Sequence, residues 1–423
     1  MAQLTDDCFA FAGPLMPIAE MERLIATRIA PVSEIEEVAL RDALGRVLAR
    51  DIVAGLDLPP FDNSAVDGFA VRHADLAASG PTRLAVVDRV TAGRAAARPL
   101  KAGESARIFT GAPMPEGADT VFMQEDVEVD GAAVVVPAGL KVGANRRLAG
   151  EDLARGAVAL PAGRRLAARD LALAAAVGAT TLPVRRRLRV ALFSTGDEIV
   201  EPGAPRRPSA IYDANRFLLA GLLHTFGAEV TDLGILADDA AVLRTALAEA
   251  AQRHDLVLTS GGVSTGEADH VRAAVEAIGT LVFWRVAIKP GRPVAMGVLP
   301  GARGAAAAFA GLPGNPAAVF VTFVRVVRPL LLRLAGAAPA PLTPLPVRAA
   351  FAYKKKGGRR EYVRVALRAG ADGAMEAVKY AQEGAGVITS LTETAGLVEL
   401  GEDTTAIAPG ATVGFLSYAA LAD

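Results

Sequence analysis

Thr259-Ser-Gly-Gly-Val-Ser-Thr-Gly-Glu-Ala-Asp269, TSGGVSTGEAD, stands between the apolar run HDLVL (254–258) and the helical pattern HVRAAVEAI (270–278). Its Gly262-x-Ser264-x-Gly266 has the spacing at which α/β-hydrolases expose a nucleophilic serine on a strand-to-helix turn. Such enzymes order their triad as Ser, acid, His along the chain. Of His73, His224, His254 and His270, only His270 follows Ser264, at the start of the next helix, with no strand between them to carry the acid. That triad cannot be assembled, and the loop also lacks the Gly-Lys-Ser/Thr of a P-loop and the dinucleotide Gly-x-Gly-x-x-Gly. The stretch therefore reads as a binding loop. Ser260, Gly261, Gly262, Ser264 and Gly266 bring backbone N–H groups to the carboxyl end of a strand, where α/β sheets hold anionic ligands.

The same alternation continues on both sides. VALFST (190–195), EVTDLGIL (229–236), LVFWRVAI (281–288) and AAAFAGLP (306–313) are strand patterns. ANRFLLAGLLHTFG (214–227) and DAAVLRTALAEAAQRH (239–254) are helical, and PAAVFVTFVRVVRPLLLRL (316–334) closes as a helix. Strands alternating with helices predict a three-layer domain around a mostly parallel sheet. Before it, Pro17–Ala30 predicts an amphipathic helix, and short apolar runs from Arg83 to Val136, broken by Gly and Pro, predict a small β-rich domain. After it, the Pro-rich GAAPAPLTPLPV is a linker, and EYVRVAL, MEAVKY, GLVEL and TVGFLSY predict a compact barrel or sandwich. The fold expected is thus multidomain α/β and β. It has a helical and extended N-terminal domain (1–52 and 147–183), a β-rich inserted domain (53–146), an α/β domain (184–335) and a C-terminal β-barrel (336–423).

Bulk properties exclude several classes. The 423 residues carry a net charge of −1, so no global field draws the chain to nucleic acid or a membrane surface. No apolar run is long and uncharged enough to span a bilayer. The first residues lack the pattern of a secretory signal, which leads us to expect a cytoplasmic protein. With Cys8 its one cysteine, the chain has no internal disulfide and no Cys-based zinc site.

The second loop of interest is GLPGNP, where Pro313 and Gly314 precede Asn315, a good helix N-cap, and Pro316 suits the first helical position. Two such loops on one sheet edge predict an anion-binding crevice. Acids follow strands at the same edge: Asp197, Glu198, Asp238, Asp239 and Asp269. Two carboxylates ~4 Å apart repel by about 4 kcal/mol at an effective dielectric of ~20, so a converging set calls for a cation or shifted pKa values. Oxygen donors with no His/Cys cluster suit Mg²⁺ keeping several waters. One of Asp238 and Asp239 equally well caps the following helix. Basic groups come from AIKPGRP (Lys289, Arg292) and from YKKKGGRREYVR (Lys354 to Lys356, Arg359, Arg360, Arg364). The latter run is either a solvated face or an anion grip.

PPFDNSAVDGFAV, TGAPMPEGADTV, GED, STGDEI, TSGGVSTGEAD, AIKPGRP and GLPGNPAAV occur in one order. Together they resemble the MoeA family of molybdenum insertases, also seen in the E domains of gephyrin-like proteins, from about Pro17 to the C-terminus. The resemblance implies insertion of molybdate into adenylylated molybdopterin, with Mg²⁺-dependent release of AMP. It implies Asp67, Thr110, Asp152, Glu198, Asp238, Asp269, Lys289, Arg292, Pro313 and Pro316 as functional residues, with Glu198, Asp238 and Asp269 on the metal. Arg359 matches an arginine that helps hold molybdate in relatives. It also implies a homodimer in which the Asp67 loop faces the partner's α/β pocket, and handover from a molybdopterin adenylyltransferase to recipient molybdoenzymes. By its residue types alone, the less favoured reading of Asp67 is an Asx-turn residue and nothing more. One departure is notable: many members place Ser soon after the Gln of the terminal domain, whereas Gln382 is followed by Glu-Gly-Ala-Gly386, so backbone groups must replace that hydroxyl. Two other classes share single motifs, a pterin-adenylating or CinA-like nucleotide enzyme and a non-catalytic scaffold. The flanking domains argue against the first and the retained acids against the second.

Overall fold

The structure is a computed structural model and describes residues 15–263 and 270–422. Its centre is a six-stranded sheet built from β1 (Arg189–Thr195), β2 (Glu229–Leu236), β3 (Leu256–Ser260), β4 (Thr280–Arg285), β5 (Pro293–Pro300) and β6 (Ala306–Leu312). The strands lie in the order β2-β1-β3-β6-β5-β4. β2, β1, β3 and β6 run parallel, each pair closed by a crossover through a helix. These helices are α1 (Asn215–Thr225), α2 (Ala240–Ala251) and α3 (His270–Ile278), followed after β6 by α4 (Pro316–Thr322).

Alternation along the central strands sends successive side chains to opposite faces. Val190, Leu192, Leu256 and Leu258 join a core with Leu219 and Leu223 of α1 and with Phe323 and Leu330 beyond α4. Met21 and Leu24 of the N-terminal helix Ile18–Arg28 enter the same core. Ala191, Phe193, Val257 and Phe309 instead meet Leu243 and Leu247 of α2 and Val271 of α3. This gives the expected three layers. Each fully buried aliphatic or aromatic side chain contributes about 1.5–3 kcal/mol, which makes this double-faced core the main stabilising body.

Two features differ from the sequence reading. β5 was missing from it, and β5, antiparallel to both β6 and β4, is the strand that makes the sheet mixed. PVAMGVLP follows the turn Lys289–Arg292 and is bounded by Pro at both ends, so its apolar run carried no helical partner that would mark a crossover. The closing helix is also not continuous: Phe323–Val327 is a π-turn between α4 and the helix Arg328–Leu334. Pro329 has no N–H and its ring crowds the carbonyl of Arg325 four residues back, which accounts for the widened turn.

The C-terminal region closes five strands into a barrel: Leu345–Ala349, Arg360–Ala369, Met375–Lys379, Gly396–Leu400 and Thr412–Ser417. The pairing of Arg360–Ala369 with Gly396–Leu400 completes the ring around Val363, Val365, Val398 and Phe415. Ile288–Lys289, just after β4, adds in parallel to Arg360–Glu361, which locks the barrel to the α/β layers. The β-rich region before the α/β layers is a separate six-stranded sheet in which Gly68–Val71 pairs antiparallel with Glu104–Ile108. No helix among the described residues is long and apolar enough to cross a membrane.

Candidate functional site

Three groups of residues come out of this framework. The first lies at the carboxyl edge of the parallel strands. Gly261 and Gly262 have φ of +87° and +65°, and a Cβ on Gly261 would stand 2.2 Å from the Thr195 carbonyl oxygen. One on Gly262 would stand 2.6 Å from methyl groups of Thr195 and Val271. These glycines are thus required first by the packing of the loop on β1 and α3. Ser260 is buried; its hydroxyl accepts from Asn215 Nδ2 (2.9 Å) and donates to the Pro313 carbonyl (3.3 Å), while Asn215 Nδ2 also donates to the Gly314 carbonyl (2.7 Å). Asn215 therefore ties both predicted binding loops together, a role the sequence reading did not assign. Its Oδ1, with the hydroxyls of Ser194 and Thr259 and one oxygen of Asp238, is buried without a partner among the described residues. Buried polar atoms left unpaired cost about 1–3 kcal/mol each, so this edge is built for polar partners.

The two readings of Asp238–Asp239 separate here. Asp239 is the N-cap of α2, accepting from the Ala241 and Val242 N–H groups at 2.8 and 3.0 Å. Asp239→Ala should cost about 1 kcal/mol of stability, measured by urea unfolding, and leave turnover unchanged. Asp238 points elsewhere. Burial pushes its pKa up and the Asp197 and Glu198 carboxylates add to the shift, against the pull of His270. The converging negative charge anticipated from the sequence is present. Among the described residues, however, no three His, Cys, Asp or Glu side chains stand close enough to hold a metal ion. Asp269, Ser264 and Gly266 lie outside the described residues.

The second group lines a cleft of about 430 Å³ between the α/β layers and the barrel. Lys289, Pro313 and Asn315 come from one side and Tyr353, Arg364 and Lys379 from the other. Lys289 Nζ donates to Glu361 Oε2 (3.2 Å) and to the Tyr353 hydroxyl (3.3 Å), and that hydroxyl donates to the same carboxylate oxygen (2.9 Å). Burial alone would lower the Lys289 pKa, but Tyr353 and Glu361 outweigh it and hold the pKa above its ordinary value. Lys379 pairs with Glu383. Arg364 is different: it is 6% exposed, its guanidinium donates only to the Gln382 and Gly384 carbonyls (3.1 and 3.2 Å), and it makes no ion pair among the described residues.

Several expected residues are placed otherwise. Arg359 donates to Glu361 and does not line the cleft. Arg292 is exposed and also lies off the cleft lining. Asn315 precedes α4 but its side chain does not cap it. The first-turn N–H of Ala317 is instead taken by the Ala385 carbonyl (3.0 Å) in the segment after Gln382, so the α4 terminus is partly satisfied by the barrel. That segment, Gln382 to Ala385, lines the cleft, and its Gln382 and Gly384 carbonyls accept from Arg364.

Asp67 and Thr110 form the third group. They flank the paired strands Gly68–Val71 and Glu104–Ile108, and Asp67 Oδ1 accepts from Thr110 N (2.8 Å) and Oγ1 (2.7 Å), which lowers the Asp67 pKa. Neither residue lines the cleft of its own chain. Asp152 is exposed, on a turn whose backbone N–H meets the Leu58 carbonyl.

Comparison with known proteins decides the family. The MoeA N-terminal region (domain I and II) matches residues 16–178, a probable molybdopterin binding domain matches 191–333, and the MoeA C-terminal region (domain IV) matches 346–418. The molybdopterin molybdenumtransferase of Haemophilus influenzae is 40% identical over 305 residues, 72% of this chain and 74% of its own. The chain belongs to the MoeA family. Membership places it among the molybdopterin molybdenumtransferases, enzymes of molybdenum cofactor biosynthesis. A Nostoc relative of the same name is 38% identical over 72% of this chain and 70% of its own. The MoeA protein of Pyrococcus horikoshii OT3 superposes with a TM-score of 0.80 at 30% identity, covering 96% of this chain and all of that one. All three MoeA regions are therefore present, which a nucleotide enzyme built on the α/β layers alone would lack.

Proposed function

We propose that this MoeA-family chain inserts molybdate into adenylylated molybdopterin and releases AMP, and that it works as a cytoplasmic homodimer. The observation that carries the reading is Arg364, a buried guanidinium on a 430 Å³ cleft that Lys289 also lines, with no ion-pair partner among the described residues. A buried cation without a counter-charge is costly, so the cleft is suited to a small oxyanion of the charge and shape of molybdate. Lys289, held protonated by Tyr353 and Glu361, supplies fixed positive charge there, and Arg364 supplies a planar fork of donors. The glycine turn at Gly261–Gly262 and the Pro313–Pro316 loop bound the neighbouring sheet edge, where the pterin phosphates would lie.

The carboxylates at that edge supply oxygen donors of the kind a hard cation takes. Glu198 and Asp238, with Asp269, would hold Mg²⁺, which when bound would neutralise phosphate charge. Burial first, then Asp197 and Glu198, raise the Asp238 pKa, and a cation would offset the part that comes from the neighbouring carboxylates. The proposed exchange of substrate and product with an adenylyltransferase and with recipient molybdoenzymes follows from the same chemistry.

The test is direct. Purified protein incubated with adenylylated molybdopterin, molybdate and Mg²⁺ should release AMP and yield material that reconstitutes an apo-molybdoenzyme. Arg364→Gln should weaken molybdate binding by about 1.5–3 kcal/mol, read as a KM increase for molybdate with the pterin KM unchanged. AMP release that does not depend on molybdate, or an unaltered molybdate KM in Arg364→Gln, would remove the assignment.

A further inference from the structure

A second cavity, of about 550 Å³, lies behind the cleft, and no residue lines both. Its walls come from the N-terminal helix, the broken closing helix, the Pro-rich linker and the barrel, so four parts of the chain meet around it. Among the described residues, Arg325, Arg328, Arg333 and Arg360 line it, with two carboxylates, Glu22 and Glu399. Arg325 is the central group. It sits in the π-turn caused by Pro329, is 8% exposed, and its Nε has no partner among the described residues. Its Nη2 donates to Glu22 Oε1 (2.9 Å), but the Glu22 side chain is itself 46% exposed and so neutralises it weakly. Glu399 stands 3.9 Å from Arg325 and is shared with Arg360 at 3.4 Å and the Tyr362 hydroxyl at 2.9 Å. Between these charges the walls are apolar: Ile25, Val324, Leu332 and Leu342.

We infer that this cavity is a binding site for a small organic anion, with a carboxylate or phosphate head on Arg325 and an apolar body against Leu332 and Leu342. The volume is that of a small-molecule site, the wall is apolar with a few convergent donors, and π-turns concentrate where helices serve ligands. Guanidinium forks take carboxylate and phosphate heads in the same geometry, so both heads belong to one class. A ligand there bridges the linker to the barrel strand Arg360–Ala369, whose Tyr362 and Arg364 line the cleft.

The test uses the full chain and three probes: phenyl phosphate, phenylacetate and inorganic phosphate. At least one aromatic probe should bind with 1:1 stoichiometry by calorimetry and raise the melting temperature, and inorganic phosphate should bind at least about tenfold more weakly for want of an apolar body. The tighter aromatic probe identifies the head. Ala26→Trp fills the cavity from an exposed helix position, and Arg325→Gln removes the head contact. Each should weaken the aromatic probe by at least about tenfold, and Lys289→Ala, in the other cleft, should not. No binding of either aromatic probe at millimolar concentration, full binding in Ala26→Trp, or loss of binding in Lys289→Ala would overturn the inference.

Discussion

Asp67→Ala and Asp238→Ala homodimers, each inactive alone, should regain about a quarter of wild-type turnover when unfolded, mixed equally and refolded together. The expectation rests on where the structure puts the two residues. Asp67, fixed by two hydrogen bonds from Thr110, belongs to the β-rich sheet and does not line the cleft of its own chain. Asp238 belongs to the carboxyl edge of the α/β sheet. If each pocket joins the sheet edge of one subunit to the Asp67 loop of the other, about half of the refolded dimers are hybrids. In each hybrid one pocket collects both substitutions and the other has neither. If both residues served one subunit's pocket, every pocket would carry a substitution and nothing would return. Absence of recovered turnover, with subunit exchange verified by differential tags, places Asp67 outside a shared site.

Glu361→Ala should lower stability by about 3 kcal/mol, the loss expected for breaking a buried charge pair, taken low because Lys289 is half exposed. Glu361 is 1% exposed and accepts from Lys289, Tyr353 and Arg359 together. Removing it strands two cations and a phenol at the junction of the barrel and the α/β layers. Glu361→Gln keeps the shape and should cost less, while raising the molybdate KM because Lys289 is no longer held. The wild-type pH profile follows from the same group. Burial opposes its ionisation, but the Tyr353, Arg359 and Lys289 hydrogen bonds lower its pKa in the folded state. Its contribution is therefore complete above the unfolded carboxyl value of about 4.3 and is lost as pH falls through the lower folded value. Lys289, with a raised folded pKa, contributes fully below about 10.4 and loses that contribution as pH rises through the folded value. Urea unfolding across pH checks both limbs. Equal acid sensitivity of wild type and Glu361→Gln would contradict the account.

Particular residues show how far the sequence could be read. The strands β1, β3 and β6 were legible because each is a continuous apolar run, as a strand buried on both faces must be. The barrel strands were legible as short apolar segments separated by glycine-containing turns. Arg364 was named only as one cation in a basic run. Its strand contributes Tyr362, Val363 and Arg364 to the cleft while Arg360 lines the second cavity, so alternation along the strand would not have singled it out. Glu361, Asn215 and the strand β5 left no local mark.

The sequence by itself determined the layered α/β core, the glycine turns at Gly261 and Gly262, the barrel and the family, because periodicity and turn chemistry are properties of neighbours along the chain. Tertiary structure alone decided that Asp239 caps while Asp238 faces the other acids, and that Arg359 serves Glu361 while Arg364 faces the cleft. It also decided that Ala385 closes onto α4. For the acids and the arginines, two chemically equivalent side chains stood within a few residues of each other. Asp239 and Arg359 take partners two or three residues along the chain, whereas only the packed chain brings Asp238 beside Asp197 and Glu198 and sets Arg364 on the cleft.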